Sequence, residues 1–309
     1  MSFINYQILK NTVKKIMPKS LLVKYRLFKS VLMRVEKRKK ELIENMRSLS
    51  KENNEHPLYI VTLTSYGKRL EKTTPYAIAS ILNQTVLPDR IVLWVGYDTT
   101  LPQIIVRFRD KGVDVMFCED MKSYKKLVPA LQKYPKDILI TADDDILYPI
   151  NWFEKLKKEH KKHPDHICFH RAHKIKFGKK NYILPYNKWD KCVKSKLFKN
   201  ENSIYKYNLF PTGCSGVLYP PNSLYSQTAS KELFMKLCPT GDDIWFWAMA
   251  LLQGTKYSMV ENGYRVVEEI DVTDPGLLNT VNAGGGNDMQ IRAVMEHFPE
   301  LENFLRYRK

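Results

Sequence analysis

The 309-residue sequence contains little cysteine, glycine or proline and lacks long apolar segments. Its five cysteines are unevenly spaced, and the absence of a CxxC pair argues against a zinc site or a disulfide framework. With 13 Gly and 16 Pro, the chain is neither collagen-like nor of low complexity. Apolar runs stay far below the roughly 20 residues that span a bilayer, and the N-terminus lacks the ordered parts of a signal peptide. We therefore expect reduced thiols and a cytoplasmic location.

Positive charge is concentrated at the N-terminus. Residues 1–50 contain 9 Lys, 4 Arg and 3 Glu, a net charge of +10, whereas the rest of the chain carries +7. Apolar residues in this segment recur at spacings of three and four, which predicts a basic amphipathic helix. Such a helix either lies on an anionic membrane surface or packs its apolar stripe on the main domain. Nucleic-acid binding is not expected, because no nucleic-acid motif accompanies the basic stretch.

The remaining sequence predicts an α/β domain. Residues 51–57 are polar and aperiodic and predict a linker, followed by one domain over residues 58–309. Strands alternate with helices, and strands such as 91–95 are apolar throughout, which predicts a mostly parallel sheet covered by helices on both faces. The alternation is regular over residues 58–150 and irregular over 151–309. We expect the first half to bind a nucleotide at the carboxyl ends of the strands and the second half to shape another pocket.

Three consecutive acids end the fourth predicted strand. Asp143, Asp144 and Asp145 follow the apolar run 138–140. Because side chains alternate along an extended chain, Asp143 and Asp145 are expected on one side and Asp144 on the other. Two carboxylates at a strand end suit Mg²⁺ or Mn²⁺, which complete their coordination with water and substrate phosphates. The alternative is a solvated acidic loop, but clustered like charges beside a buried strand are costly without a counter-ion.

Several segments together resemble bacterial glycosyltransferases of the GT-A type that are related to family 2 and occur in capsule and lipopolysaccharide gene sets. The segments are SILNQTVLPDRIVLW (80–94), SYKKLVPAL (123–131), ILITADDDILYP (138–149), GCSGVLYPP (213–221) and TGDDIWFWA (240–248). The resemblance implies a GT-A fold and a metal-dependent, inverting hexosyl transfer from a nucleotide-sugar, taken as a UDP-sugar. The implied acceptor is a cell-surface polysaccharide or a lipid-linked glycan, at the inner face of the membrane.

The resemblance also implies roles for individual residues. Asp143 and Asp145 correspond to the ligands of the divalent metal, and Asp144 to a residue facing the ribose or the donor sugar. The further donor-binding residues that it implies are Thr64, Ser65, Arg69, Asp120 and Lys126. The family often supplies a third metal ligand near the C-terminus, but the one candidate, His297, lies inside a predicted helix, so the ligand set stays open.

A second acid pair, Asp242 and Asp243, begins a predicted helix. Acids in a first turn stabilise the helix dipole, and Thr240 with Asp243 three residues later is close to a capping box. The same position suits a base that removes the proton from an acceptor hydroxyl. In the related inverting enzymes the second acid of such a pair is the base. We therefore expect Asp243 to be catalytic with Asp242 as its partner, and capping is the alternative.

Acceptor-binding residues are predicted in the second half. Gly213 and Ser215 lie in a glycine-containing segment that permits close backbone approach to a sugar, although a plain hairpin turn explains it equally well. Trp189 and Trp245 are candidates for stacking on acceptor sugars, with core packing as the alternative. Two other functions share this fold. A sugar nucleotidyltransferase is disfavoured because its Gly-rich, Arg-containing start is missing, and a non-catalytic nucleotide- or glycan-binding module because both acid groups are intact.

Overall fold

The computed structural model describes residues 56–109, 111–179, 182–195, 208–265, 268–270 and 285–306. The predicted basic helix within residues 1–50 and most of the predicted linker lie outside these ranges. In the described part of the chain, every helix is too short or too polar to cross a bilayer.

Seven strands form a single, mostly parallel sheet. Its order is β10-β6-β9-β4-β1-β2-β3, and β9 is the one strand in it that runs antiparallel to its neighbours. Two further two-stranded sheets pair β5 with β11 and β7 with β8. The strands are β1 Tyr59–Thr64, β2 Arg90–Gly96, β3 Val113–Cys118, β4 Ile138–Thr141, β5 Ile146–Leu147, β6 Ile167–Phe169, β7 Ala172–Lys174, β8 Leu209–Pro211, β9 Val217–Tyr219, β10 Tyr257–Met259 and β11 Glu268–Glu269.

Helices cover both faces of the sheet. They are α1 Arg69–Lys72, α2 Thr74–Leu82, α3 Gln103–Arg109, α4 Val128–Lys133, α5 Trp152–Lys162, α6 Lys231–Leu237, α7 Asp242–Leu252, α8 Asn287–His297 and α9 Leu301–Arg306. Alternate residues of one strand enter different cores: Ile60 packs with Val92 on one face, whereas Val61 packs with Ile91 on the other. A strand buried on both faces has no polar side, so the continuous apolar runs follow directly. The predicted parallel sheet flanked by helices is confirmed.

Two segments of the chain are divided into shorter elements. Residues 122–133 form a 3₁₀ helix, Lys122–Lys126, followed by α4, because Pro129 lacks an N–H and is tolerated only in a first helical turn. Residues 167–174 form the two short strands β6 and β7.

The antiparallel strand β9 positions the site. It lies between β4 and β6, with Val217 opposite Thr141. A 3₁₀ turn, Gly213–Ser215, immediately precedes β9. This register therefore carries the turn to the carboxyl end of β4, where Asp143 to Asp145 follow.

Candidate active site

The three strand-end acids are held by two cations. Arg69 Nη1 lies 2.9 Å from Asp144 Oδ1 and 2.9 Å from Asp145 Oδ2. Lys126 Nζ lies 2.8 Å from Asp143 Oδ1. Asp144 and Asp145 therefore share one cation, while Asp143 remains close enough to Asp145 to raise its pKa. Strand β4 ends at Thr141 and the acids occupy the turn that follows, so the alternation of an extended chain no longer applies.

Asp144 is the most enclosed of the three. Its Oδ2 accepts a hydrogen bond from the Ser65 hydroxyl at 2.6 Å, and the Ser65 oxygen lies 2.6 Å from Thr74 Oγ1. Burial raises the pKa of Asp144, although the guanidinium of Arg69 and the Ser65 hydrogen bond oppose the rise. Ser65, Arg69 and Asp144 thus form one connected group at the ends of β1 and β4.

Lys126 links the strand-end acids to the second acid pair. Its buried ammonium lies between Asp143 and Asp242, with Nζ 2.9 Å from Asp242 Oδ2. The contact with Asp242 is an ion pair and lacks the geometry of a directed hydrogen bond. Thr62 on β1 donates to the Lys126 carbonyl at 2.7 Å, which fixes this residue against the sheet. The two acid groups are therefore parts of one site.

Asp243 is oriented by a backbone amide. The Gly213 N–H donates to both carboxylate oxygens, at 3.1 and 3.0 Å. Helix α7 has Gly241 at its N-cap and no side-chain cap, and the Thr240 hydroxyl lies against Gln290 Oε1. The capping-box alternative is thus contradicted, because the Asp243 carboxylate faces the Gly213 turn and not its own helix.

The carboxylates of the site outnumber its cations. Five acids, Asp143, Asp144, Asp145, Asp242 and Asp243, surround two cations, Arg69 and Lys126. Burial and the neighbouring Asp143 and Asp144 raise the pKa of Asp145 to about 6, against the effect of Arg69. Burial and Asp242 raise the pKa of Asp243 to about 7, against Lys126 and the Gly213 N–H. Such a surplus of negative charge favours a further cation.

Other residues predicted for the site lie apart from these contacts. The Thr64 hydroxyl donates to the Trp94 carbonyl at 2.9 Å, so it ties β1 to β2. Asp120 is exposed at the end of β3 and pairs with Lys125. Trp189 and Trp245 are buried in the core, with their N–H groups on the Leu184 and Thr228 carbonyls.

The Gly213 turn contacts both the Asp243 carboxylate and the core: Gly213 binds the carboxylate, and Ser215 binds a core tryptophan. Ser215 is buried, and its carbonyl accepts the Trp152 N–H at 2.7 Å, so it anchors the turn. The bridging position of Lys126 and the amide of Gly213 were not predicted from the sequence. A glycine next to a sharp turn was the only signal, because which carboxylate its N–H meets depends on the placement of α7.

Alanine substitutions at Gly213 and at Gly216, which follows the turn, are expected to differ in their effect on stability. A Cβ at Gly213 would lie 2.7 Å from Asp243 Oδ1 and 3.3 Å from Lys126 Nζ, so Gly213→Ala displaces the carboxylate. A Cβ at Gly216, where φ is +85°, would lie 2.4 Å from the Trp152 ring. We expect Gly216→Ala to lower the free energy of unfolding by about 2–4 kcal/mol and Gly213→Ala by less than half of that. Urea unfolding of both variants, compared with the wild type, measures the difference, and a larger loss for Gly213→Ala would contradict it.

The family model described as glycosyl transferase family 2 matches residues 60–234, which include all of the site except Asp242 and Asp243. No curated protein matches the sequence.

Solved structures with a similar fold include two of S. aureus TarS residues 1–349. The one in complex with UDP is 15% identical, with a TM-score of 0.43, and the alignment covers 68% of this chain and 59% of that one. The other is 14% identical, with a TM-score of 0.44 and coverages of 82% and 75%. A 4-diphosphocytidyl-2C-methyl-D-erythritol synthase is 9% identical, with a TM-score of 0.43 and coverages of 73% and 99%.

Proposed function

Because the chain belongs to glycosyl transferase family 2, we propose that it transfers a hexosyl group from a nucleotide-sugar to a hydroxyl group of a glycan acceptor, with inversion. Members of this family have the GT-A fold, and the mostly parallel sheet flanked by helices conforms to it. The observation that carries the proposal is the Lys126 bridge, which joins the strand-end acids Asp143 to Asp145 to the acid pair of α7. A donor-binding group and a base are thereby held within one site.

Asp143 and Asp145 are the proposed ligands of a divalent cation, Mg²⁺ or Mn²⁺. Their side chains keep 25% and 31% of their surface exposed, whereas Asp144 is enclosed, so these two can reach a bound ion. Among the described residues no three His, Cys, Asp or Glu side chains converge on one point. Mg²⁺ accepts such a sparse set, because it uses one or two carboxylates plus substrate phosphates and water. The cation would neutralise the donor diphosphate as it leaves.

Asp243 is the proposed base. A single displacement needs a carboxylate near the acceptor hydroxyl to take its proton while the new bond forms. The two contacts from the Gly213 N–H fix the orientation of this carboxylate, whereas the ammonium of Lys126 forms its ion pairs with Asp143 and Asp242. A pKa of about 7 leaves Asp243 ionised above neutral pH and basic enough to accept a proton.

The donor is proposed to bind at the carboxyl ends of β1 to β4, where ligands of open α/β sheets lie. Ser65 and Arg69, which support Asp144, lie at this edge. Thr64 is the last residue of β1, and Asp120 follows β3 by two residues. A UDP-sugar is the proposed donor, and a cell-surface polysaccharide or lipid-linked glycan the proposed acceptor. Residues 1–50, with their charge of +10, are proposed to hold the protein on an anionic membrane surface.

Thermal unfolding of the full chain with nucleotides tests the donor assignment. We expect UDP with Mn²⁺ or Mg²⁺ to raise the melting temperature by several degrees, since binding at 100 times Kd adds about 2.7 kcal/mol of stability. UDP with EDTA is expected to give a much smaller shift. CTP with metal is the comparison for nucleotidyl transfer. A shift from CTP that exceeds the shift from UDP, or no shift from any nucleotide, would overturn the proposal.

A further inference from the structure

Within the described ranges, Arg171 is bound by two cysteine side chains and by no carboxylate. It lies between β6 and β7, half-buried, and donates from Nε to Cys192 Sγ at 3.1 Å and from Nη1 to Cys214 Sγ. Burial raises the pKa of the Cys214 thiol, so this partner is neutral at pH 7. In the described ranges no carboxylate forms an ion pair with Arg171. An arginine has five N–H donors, and the contacts among the described residues use two of them.

Two further cations, Lys191 and Arg265, lie close to Cys192, the residue that Arg171 contacts. Arg265 Nη1 donates to the Cys192 carbonyl at 3.3 Å. Lys191 precedes Cys192; its ammonium lies 3.1 Å from the centre of the Tyr186 ring and donates to the Tyr186 carbonyl at 2.7 Å. Burial and the charge of Arg171 lower the pKa of Lys191 to about 8, against the effects of Cys192 and Asp288. We call Arg171, Lys191 and Arg265 the basic cluster.

The basic cluster borders the proposed base. Cys214, which contacts Arg171, follows Gly213, whose N–H holds Asp243. The Thr212 N–H, one residue earlier, donates to the Arg171 carbonyl at 3.1 Å. The cluster therefore adjoins the site next to Asp243, on the side that the proposed acceptor would occupy.

The charge of the cluster indicates the charge of its ligand. Asp288, whose carboxylate accepts the Tyr186 N–H at 2.6 Å, is the acid that acts on Lys191. The three cations outnumber this carboxylate in the described part of the chain, and a phosphate monoester, with up to two negative charges at pH 7, matches such a surplus better than a single carboxylate does. Guanidinium groups suit phosphate in geometry as well, because their planar fork of donors can bind two oxygens.

Building on the proposed glycosyl transfer, we propose that the acceptor carries a phosphate group, which binds to Arg171, Lys191 and Arg265 while the reacting hydroxyl faces Asp243. The proposal names a substrate class for the acceptor side of the site. It also gives a role to an arginine that forms no ion pair with a carboxylate in the described ranges.

Binding of small sugars to the full chain tests this proposal. The donor site is first filled with UDP and Mg²⁺ at saturating concentrations, and glucose 6-phosphate, glucuronate and glucose are then titrated by calorimetry. We expect glucose 6-phosphate to bind at least about tenfold more tightly than glucose, with glucuronate between them. Arg171→Gln is expected to remove this preference and to leave the Kd for UDP within twofold. Arg90→Gln, which removes a charge paired with Asp114 outside the site, is the matched control.

Several outcomes would overturn the proposal. Equal binding of glucose and glucose 6-phosphate is one, and an unchanged preference in Arg171→Gln is another. Displacement of UDP by glucose 6-phosphate would assign the cations to the donor. Should Arg171→Gln unfold, the double variant Lys191→Gln/Arg265→Gln, with both side chains exposed, gives the same readout. If UDP does not bind the wild type, the proposed function fails, whereas the preference among the sugars still tests the phosphate assignment.

Discussion

Replacing Asp243 by Asn is expected to lower the turnover number for sugar transfer by roughly 10²–10⁴, the usual contribution of a general base. The amide cannot take the acceptor proton, but its oxygen can still accept the Gly213 N–H, so the turn remains in place. UDP affinity and the unfolding midpoint should change little, since no cap is lost from α7. Asp165→Asn, at a remote and exposed acid, is the matched control.

The pH dependence of the wild type provides a second readout for the same residue. Burial and Asp242 raise the pKa of Asp243 to about 7, so the ionised, active form is lost as the pH falls below that value. kcat/KM should therefore rise with pH through about 7 and then level off, as expected for the base of the free enzyme. Asp243→Asn should abolish this limb. A variant with wild-type turnover, or one that keeps the limb, would exclude Asp243 as the base.

Asp145→Asn is expected to lower transfer about 10³-fold or more, because losing several kcal/mol of charge stabilisation at the leaving group has that effect on rate. The melting shift caused by UDP should no longer depend on Mg²⁺ or Mn²⁺. Donor hydrolysis without acceptor should fall together with transfer, which distinguishes this variant from a defect in acceptor binding.

The electrostatics of the site also predict whether Asp145→Asn raises or lowers the stability of the fold. A pKa raised to about 6 means that the folded protein disfavours the ionised form of Asp145, so its charge destabilises the fold near pH 7. Arg69 keeps its contact with Asp144 in the variant. Without metal, Asp145→Asn should therefore melt at a temperature no lower than that of the wild type. Asp114→Asn, which removes an acid outside the site, is the control; metal-dependent UDP binding retained by Asp145→Asn would disprove the ligand assignment.

The sheet could be predicted from the sequence because its signal is local. Runs such as 91–95 are apolar on both faces, and each is followed within a few residues by polar groups. The strands, their mostly parallel arrangement and their polar ends can therefore be predicted from the sequence. The order of the helices followed in the same way. The sequence is less informative where a regular element ends: Asp143 to Asp145 lie just past β4, and the alternation of a strand does not determine which way their side chains face.

The links within the site could not be predicted in this way. Lys126 and Asp242 are 116 residues apart, and their contact depends on how α7 packs beside the sheet. Among 50 basic residues, neither spacing nor composition marks Lys126 or Arg171 as different from a solvated lysine or arginine. For Trp245 the sequence is misleading, because an aromatic residue beside an acid pair suggests stacking on a sugar. In the structure its indole is buried in the core and packs against Phe234.

The central position of β9 has a consequence for how the enzyme acquires its activity. This strand is inserted between β4 and β6 and pairs Val217 with Thr141 across 76 residues. Closing so long a loop costs more entropy than pairing strands that are neighbours along the chain, such as β1 with β2 or β2 with β3. A partly folded chain in which β9 has not paired would lack the Gly213 amide that holds the base, so catalytic competence is expected only after this pairing forms.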